Sequence, residues 1–450
     1  MFRKFVALPL VCALVFALGL ALMPTKQAAA QQGISWTTGF RVQNLGSAAA
    51  SVNVQLYNPD GSSAGTINDS INPNDGKTYF PVPNVSAGFQ GSAVISADQQ
   101  IAAILNISGN NFAYNESALG ISQPSNTVRL PLIMRNNSGF STWFAVQNAG
   151  TAAASVQVAF SPNPGAGNSF TTPAQNIPPG ASVIFDQSTQ AELGNLFVGS
   201  AIVTGNQPLA VVVNQTGTGS LRQLLAYSGF ASGSNNVILP LVQQANAGFN
   251  TGISVQNSGT TPATVTVTYG PNLVAGGAPL ANDTATLEPG RSTVFLKSST
   301  ARYVGSATVT TGAGQEVVVV VNQFSSRSGT AYEGINNASA TGRVSLPLLM
   351  SRNGGFDTGV QCRHLGAATV NVTLTYTPNT VAGSTFNPPP VTQSVPAGTP
   401  FNVQQGTFSE RYVGSGIVTT SPDTPIVCIV NQLNNAASDD RFLTYNGVNY

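Results

Sequence analysis

Large apolar residues recur at every second position in four short stretches of the chain. Val52, Val54 and Leu56 are separated by Asn53 and Gln55. The same beat gives Val156, Val158 and Phe160, then Val265, Val267 and Tyr269, then Val372, Leu374 and Tyr376. A period of two places every second side chain on one face, so each stretch predicts a half-buried strand. The uninterrupted runs Val317 to Val321 and Ile426 to Val430 predict central strands covered on both faces. Turn residues punctuate the strands at Asn58-Pro59-Asp60-Gly61, Pro178-Pro179-Gly180, Pro289-Gly290 and Ala397-Gly398. No stretch carries the period of an amphipathic helix.

These elements recur at a spacing of about 108 residues. Val42-Gln43-Asn44, Val146-Gln147-Asn148 and Val255-Gln256-Asn257 return, altered, as Cys362-Arg363-His364. Each is followed two residues later by Gly46, Gly150, Gly259 or Gly366. Gly-Ser pairs begin at Gly91, Gly199, Gly305 and Gly414, and Asn106, Asn214, Asn322 and Asn431 close apolar runs. Leu130-Pro131-Leu132, Leu239-Pro240-Leu241 and Leu346-Pro347-Leu348 fall between the copies. Self-similarity at this length predicts tandem domains. Seven or eight short strands in about 105 residues predict an immunoglobulin-like sandwich.

The expected division is a signal peptide at 1–30 and sandwich repeats at 31–128, 129–237, 238–344 and 345–450. Proline cannot donate to a ladder, so the Leu-Pro-Leu segments are read as edge strands or strand starts. Short linkers predict an elongated rod, roughly 120–160 Å long for domains of this strand length. The first repeat has no Leu-Pro-Leu of its own, because the equivalent place falls near Gln27. Either four units simply share three joints, or the first exposes an edge that can accept a strand from a neighbour; the sequence leaves both open.

The pattern resembles a type of secreted bacterial surface protein in which Leu-Pro-Leu, a Gly-aromatic step, Val-Gln-Asn, Gly-Ser-Ala and Tyr-Asn-Gly recur in tandem. Here these are Leu130 to Leu132, Gly139-Phe140, Val146 to Asn148, Gly199 to Ala201 and Tyr445 to Gly447, and the likeness covers 33–450. It implies a sandwich fold and a cell-surface or extracellular location. It implies no activity.

Arg3 and Lys4, the apolar stretch Phe5 to Met23 and the small residues Ala28 to Ala30 form an export-signal pattern. Cleavage there would take the net charge from +1 to −2, too little positive charge to neutralise phosphates, so nucleic acid is not an expected partner. No membrane span is expected in the mature chain. Charged residues make up 7% of the chain, against a usual quarter or so. A weakly charged surface gives weak repulsion between molecules and favours self-association or contact with other surface proteins.

Candidate chemistry is sparse. Cys362 and Cys428 stand where other copies carry Val146 and Val211, or Val255 and Val319. Paired replacement in an exported chain predicts a disulfide across the two sheets of the last sandwich; two buried thiols are the alternative. His364 is the single histidine and replaces a turn Asn, so a solvated turn residue is expected. One histidine cannot build a Ser-His-Asp triad or a usual zinc site. The spacing of Asn44, Asn148 and Asn257 to Gly fits turns in which Asn bonds nearby backbone and Gly takes positive φ. Asn106 and its counterparts are expected to satisfy strand-end backbone. Asp60, Asp69 and Asp75 are the nearest approach to a calcium cluster.

The reading is a non-catalytic structural component of a bacterial surface or extracellular assembly, without cofactor or metal. The alternative is an adhesin or carbohydrate-binding protein that recognises glycans through variable loops at 58–70, 161–176, 270–286 and 377–394.

Overall fold

The alternating stretches become strands whose inward residues build the cores. In Ala154–Pro162, Val156, Val158 and Phe160 are buried while Ser155, Gln157 and Ala159 face solvent. Val317 to Val321 are all buried, as a central strand requires. The structure, a computed structural model, describes residues 12–16 (backbone), 33–86, 88–110, 113–218, 221–274, 277–297, 300–380, 382–434 and 440–450. The rest of the expected signal peptide lies outside the described residues. Among the described residues, helix is confined to three short 3-10 turns, and no helix is long and apolar enough to cross a membrane.

The chain is all-β. Apart from residues 12–16, every sheet draws its strands from one of four consecutive stretches: 36–119, 125–228, 236–336 or 343–449. In the first stretch, Gly76–Tyr79, Trp36–Asn44, Ile101–Gly109 and Tyr114–Leu119 form one sheet. Ser63–Ile71, Ala50–Tyr57 and Ser92–Ala97 form the other. The later stretches repeat this pairing. In the second, the 21-residue strand Phe197–Gly217 runs through both sheets and joins them.

The Leu-Pro-Leu segments lie in strands at equivalent positions. Leu130 pairs with Ala201, Leu239 with Ala307 and Leu346 with Gly416. In the first stretch that position is taken by Cys12–Phe16, antiparallel to Ser92–Ala97, with Phe16 opposite Ala93. The edge of the first stretch is thus completed by residues from the N-terminal apolar stretch.

The expected elongated rod is overturned. The last stretch packs back onto the first: Arg41 Nε donates to the Pro347 carbonyl at 2.7 Å, and Ser345 Oγ donates to Gln43 Oε1 at 2.6 Å. The strands Tyr114–Leu119, Leu224–Ser228, Gly329–Glu333 and Phe442–Asn446 touch in cyclic order around one axis. The same head-to-tail contact is made by each stretch with the next, and such a contact closes into a ring when its rotation divides the circle. The polar residues of these contacts are of the kind that also cover a solvated surface, so their composition does not reveal the closure.

Candidate functional site

Each of the four axial strands has one edge paired within its own sheet and the other turned to the axis. Edge amides that meet without water must find acceptors. Glu116 supplies them. Its Oε1 accepts from Ser117 N at 2.8 Å, Thr330 Oγ1 at 2.8 Å and Thr444 N at 3.2 Å. Its Oε2 accepts from Ala226 N at 3.2 Å and Ala331 N at 2.9 Å. Ser117, Ala226, Ala331 and Thr444 hold the same place, three residues before Gly120, Gly229, Gly334 and Gly447. One carboxylate therefore binds one backbone amide from every stretch.

Two further acids extend this column. Asp440 accepts from Leu224 N at 2.8 Å and Gly329 N at 3.0 Å, and its carbonyl accepts from the Asn115 amide. Glu333 accepts from Ser228 N at 2.6 Å, and its carbonyl accepts from Asn446 Nδ2 at 2.8 Å. The three layers are two residues apart along the strands, roughly 7 Å. Burial pushes the Glu116 and Asp440 carboxyls well above the ordinary carboxylate range, and Glu333 upward, while the donated hydrogen bonds pull each back. Sequence reading missed this column. Its signal was an acid at a position that is Leu225, Thr330 or Leu443 elsewhere, in a chain with only 16 acids.

The seams between stretches give the repeated triplets their purpose. The middle residue crosses the seam each time. Gln43 meets Ser345, Gln147 donates to Ser92 Oγ at 2.9 Å, Gln256 to the Ala201 carbonyl at 3.4 Å, and Arg363 to Thr308 Oγ1 at 3.0 Å. The Gly-Ser hydroxyls reach across as well: Ser92 to the Gly180 carbonyl, Ser200 to that of Gly290, and Ser415 to that of Asn74.

The third triplet residue staples its own loop. Asn44 Nδ2 donates to the carbonyls of Ala48 and Ile71, and its Oδ1 accepts from Gly46 N; Asn148 and Asn257 repeat all three bonds. The expected positive φ at these glycines is not found. Gly46 is small because a Cβ there would meet Gln99 Oε1 at 2.4 Å. His364 is likewise no solvated turn residue. It is buried at the staple position, and its Nε2 lies 3.0 Å from the Pro396 carbonyl.

Asn106 and its counterparts face neighbouring stretches rather than strand ends. Gln432 pairs with Asn106, Gln215 with Asn322, and Gln323 reaches Asn431 through Thr444. In the remaining seam the Gln position is Ile107, and buried Asn214 has no partner for either side-chain atom.

Cys362 and Cys428 form a disulfide, but within one sheet. They are directly opposed on adjacent strands with Cα atoms 4.0 Å apart, as Val146 is opposed to Val211. The expected cross-sheet link is corrected: the two positions are neighbours on a ladder, close enough for a bridge without movement of either strand.

The closing seam encloses a cavity of about 540 Å³. Phe40, Ile104, Leu348, Met350 and Phe356 supply much of its wall, with Phe80, 61% exposed, also lining it. Arg41 and Arg411 also line it, and among the described residues no acidic one does. Arg41 is buried; Nη1 donates to Thr78 Oγ1 at 3.1 Å and Nη2 has no hydrogen-bond partner. Burial pulls its pKa down to about 10, opposed by Asp75 at longer range.

Among the described residues, no three His, Cys, Asp or Glu side chains gather as a metal site. Asp69 is bound instead to Lys77, and Asp60 to Ser62. No protein-family model matches the chain, and no curated protein is significantly similar to it.

Proposed function

We propose that this chain is a non-catalytic structural component of a bacterial cell surface or extracellular assembly. In this reading it is exported, and four immunoglobulin-like sandwich domains, bounded as in the sequence reading, close into one block. The buried acids, amides and hydroxyls described above are occupied in holding stretches together, which is the work of a structural protein. The disulfide suits an oxidising compartment.

The observation that carries the reading is the edge along Ser92–Ala97. Three of the four equivalent edges are completed by Leu-Pro-Leu strands; this one is completed by Cys12–Phe16. Removal of the signal would vacate it and leave a strand edge for pairing between molecules. Glycan contacts or other surface proteins remain secondary partners in this account.

The test uses chain beginning at Gln31, with and without a synthetic peptide spanning residues 10–18. Regular assemblies at neutral pH in electron micrographs, suppressed by the peptide, are the expected result. A monodisperse protein whose size ignores the peptide would refute assembly through this edge.

A further inference from the structure

The cavity at the closing seam is unlike the equivalent place one seam away. Gly39 lies three residues before Val42, as Gly252 and Gly359 lie before Val255 and Cys362, and only the second stretch carries a large side chain there, Trp143 before Val146. Trp143 is fully buried, donates to Thr216 Oγ1 at 3.0 Å and sits 6.2 Å from the Trp36 ring. Gly39 has no side chain, Phe80 lies against the place its Cβ would take, and both line the cavity.

Arg41 differs from its counterparts in a second way. Its bond to the Pro347 carbonyl is reproduced in the neighbouring seam by a neutral residue: Gln361 Nε2 donates to the Pro240 carbonyl at 2.8 Å. Ala145 and Ser254 hold the same place in the other two stretches, so no seam but this one carries a charge there. Asp75 opposes that burial only at longer range, and a buried guanidinium with one nitrogen unpartnered stays costly without a closer anion. The wall is otherwise largely apolar, and its volume lies in the range of small-molecule pockets.

We propose that the closing-seam cavity binds a small amphiphilic carboxylate, its apolar chain against Phe40, Leu348 and Phe356 and its anionic group held by Arg41. Arg411 at the same cavity is held by Asn353 Oδ1 and the Ala382 carbonyl, and adds a second positive charge. Arginine suits this task because its planar fork matches a carboxylate. The site stands apart from the open edge at Ser92–Ala97, and its occupation does not depend on assembly.

The test is isothermal titration of the full chain with decanoate, decyltrimethylammonium and a neutral decyl glycoside. Saturable one-to-one binding of decanoate is expected, with at least tenfold weaker binding of the other two. Arg41→Gln, which keeps a donor for Pro347, is expected to weaken decanoate at least tenfold; Arg41→Lys is expected to stay within a few fold. Gly39→Trp, copying the neighbouring seam, is expected to abolish binding while elution volume and circular dichroism stay unchanged. The proposal is overturned if wild-type chain binds no decanoate, if the cation binds as well, or if a folded Arg41→Gln chain retains full affinity.

Discussion

Replacing Glu116 by Gln changes one oxygen into an amine in the middle of four converging amides. Whichever way the amide turns, the NH2 group faces donors. With the oxygen placed at Oε1, Ala226 N and Ala331 N lose their acceptor. Bonds to a charged acceptor contribute about 1.5–3 kcal/mol each, so two come to roughly 3–6 kcal/mol. Relief of the desolvation that raises the carboxyl's pKa offsets part of this, leaving a net loss of about 2–4 kcal/mol. The assay is urea denaturation followed at the first transition, since a chain with several cores need not unfold in one step. Native-state hydrogen exchange adds the location. The amides of Ala226 and Ala331 should lose protection in Glu116→Gln, while those inside the outer sheets keep theirs. The control is Glu192→Gln on the exposed surface, with an effect within about 0.5 kcal/mol. If Glu116→Gln costs no more than that control, the axial carboxylate does not hold the ring.

Three other outcomes follow from the same contacts. Glu116, Asp440 and Glu333 all have raised folded-state pKa values, so the folded chain holds their protons more tightly than the unfolded chain does. Their contribution is present below the unfolded carboxylate range, about pH 4, and is lost as pH rises through the folded values; the melting temperature should fall from pH 5 to pH 8, and less steeply when all three become amides. Reduction of Cys362–Cys428, whose positions are 66 residues apart, should cost the last stretch about 4 kcal/mol, whereas Cys362→Val with Cys428→Val should lose less because Val pairs fill that place elsewhere; calorimetry with and without reductant decides. Ile107→Gln should couple to Asn214 by about 1 kcal/mol in a double-mutant cycle with Asn214→Ala, and a coupling of zero would remove the proposed pairing across that seam.

The strands were legible because burial on one face writes a period of two into Val52 to Leu56 and its counterparts. The pairing of Cys362 with Cys428 was legible for a similar reason: both replaced core valines. The sheet they share was not, since core positions on facing sheets and on neighbouring strands have the same composition. Ring closure was hidden for a deeper reason. Its contacts are made by Gln43, Gln147, Ser92 and Asn106, polar residues of the kind that also cover a solvated surface, yet they are buried or nearly so against another stretch. Closure also joins Arg41 to Pro347 across 306 positions, and no local pattern encodes a pairing of that range. Glu116 carried a signal only in its contrast with Leu225 and Leu443, because a single acid serving four amides leaves no repeat.

The central claim is that the first and last stretches meet and close the ring. Small-angle X-ray scattering of the monomeric chain tests it most directly. A closed block of 450 residues should have a radius of gyration of about 22 Å. A rod of four beads of this strand length would give roughly 35–46 Å, and a value in that range would contradict closure.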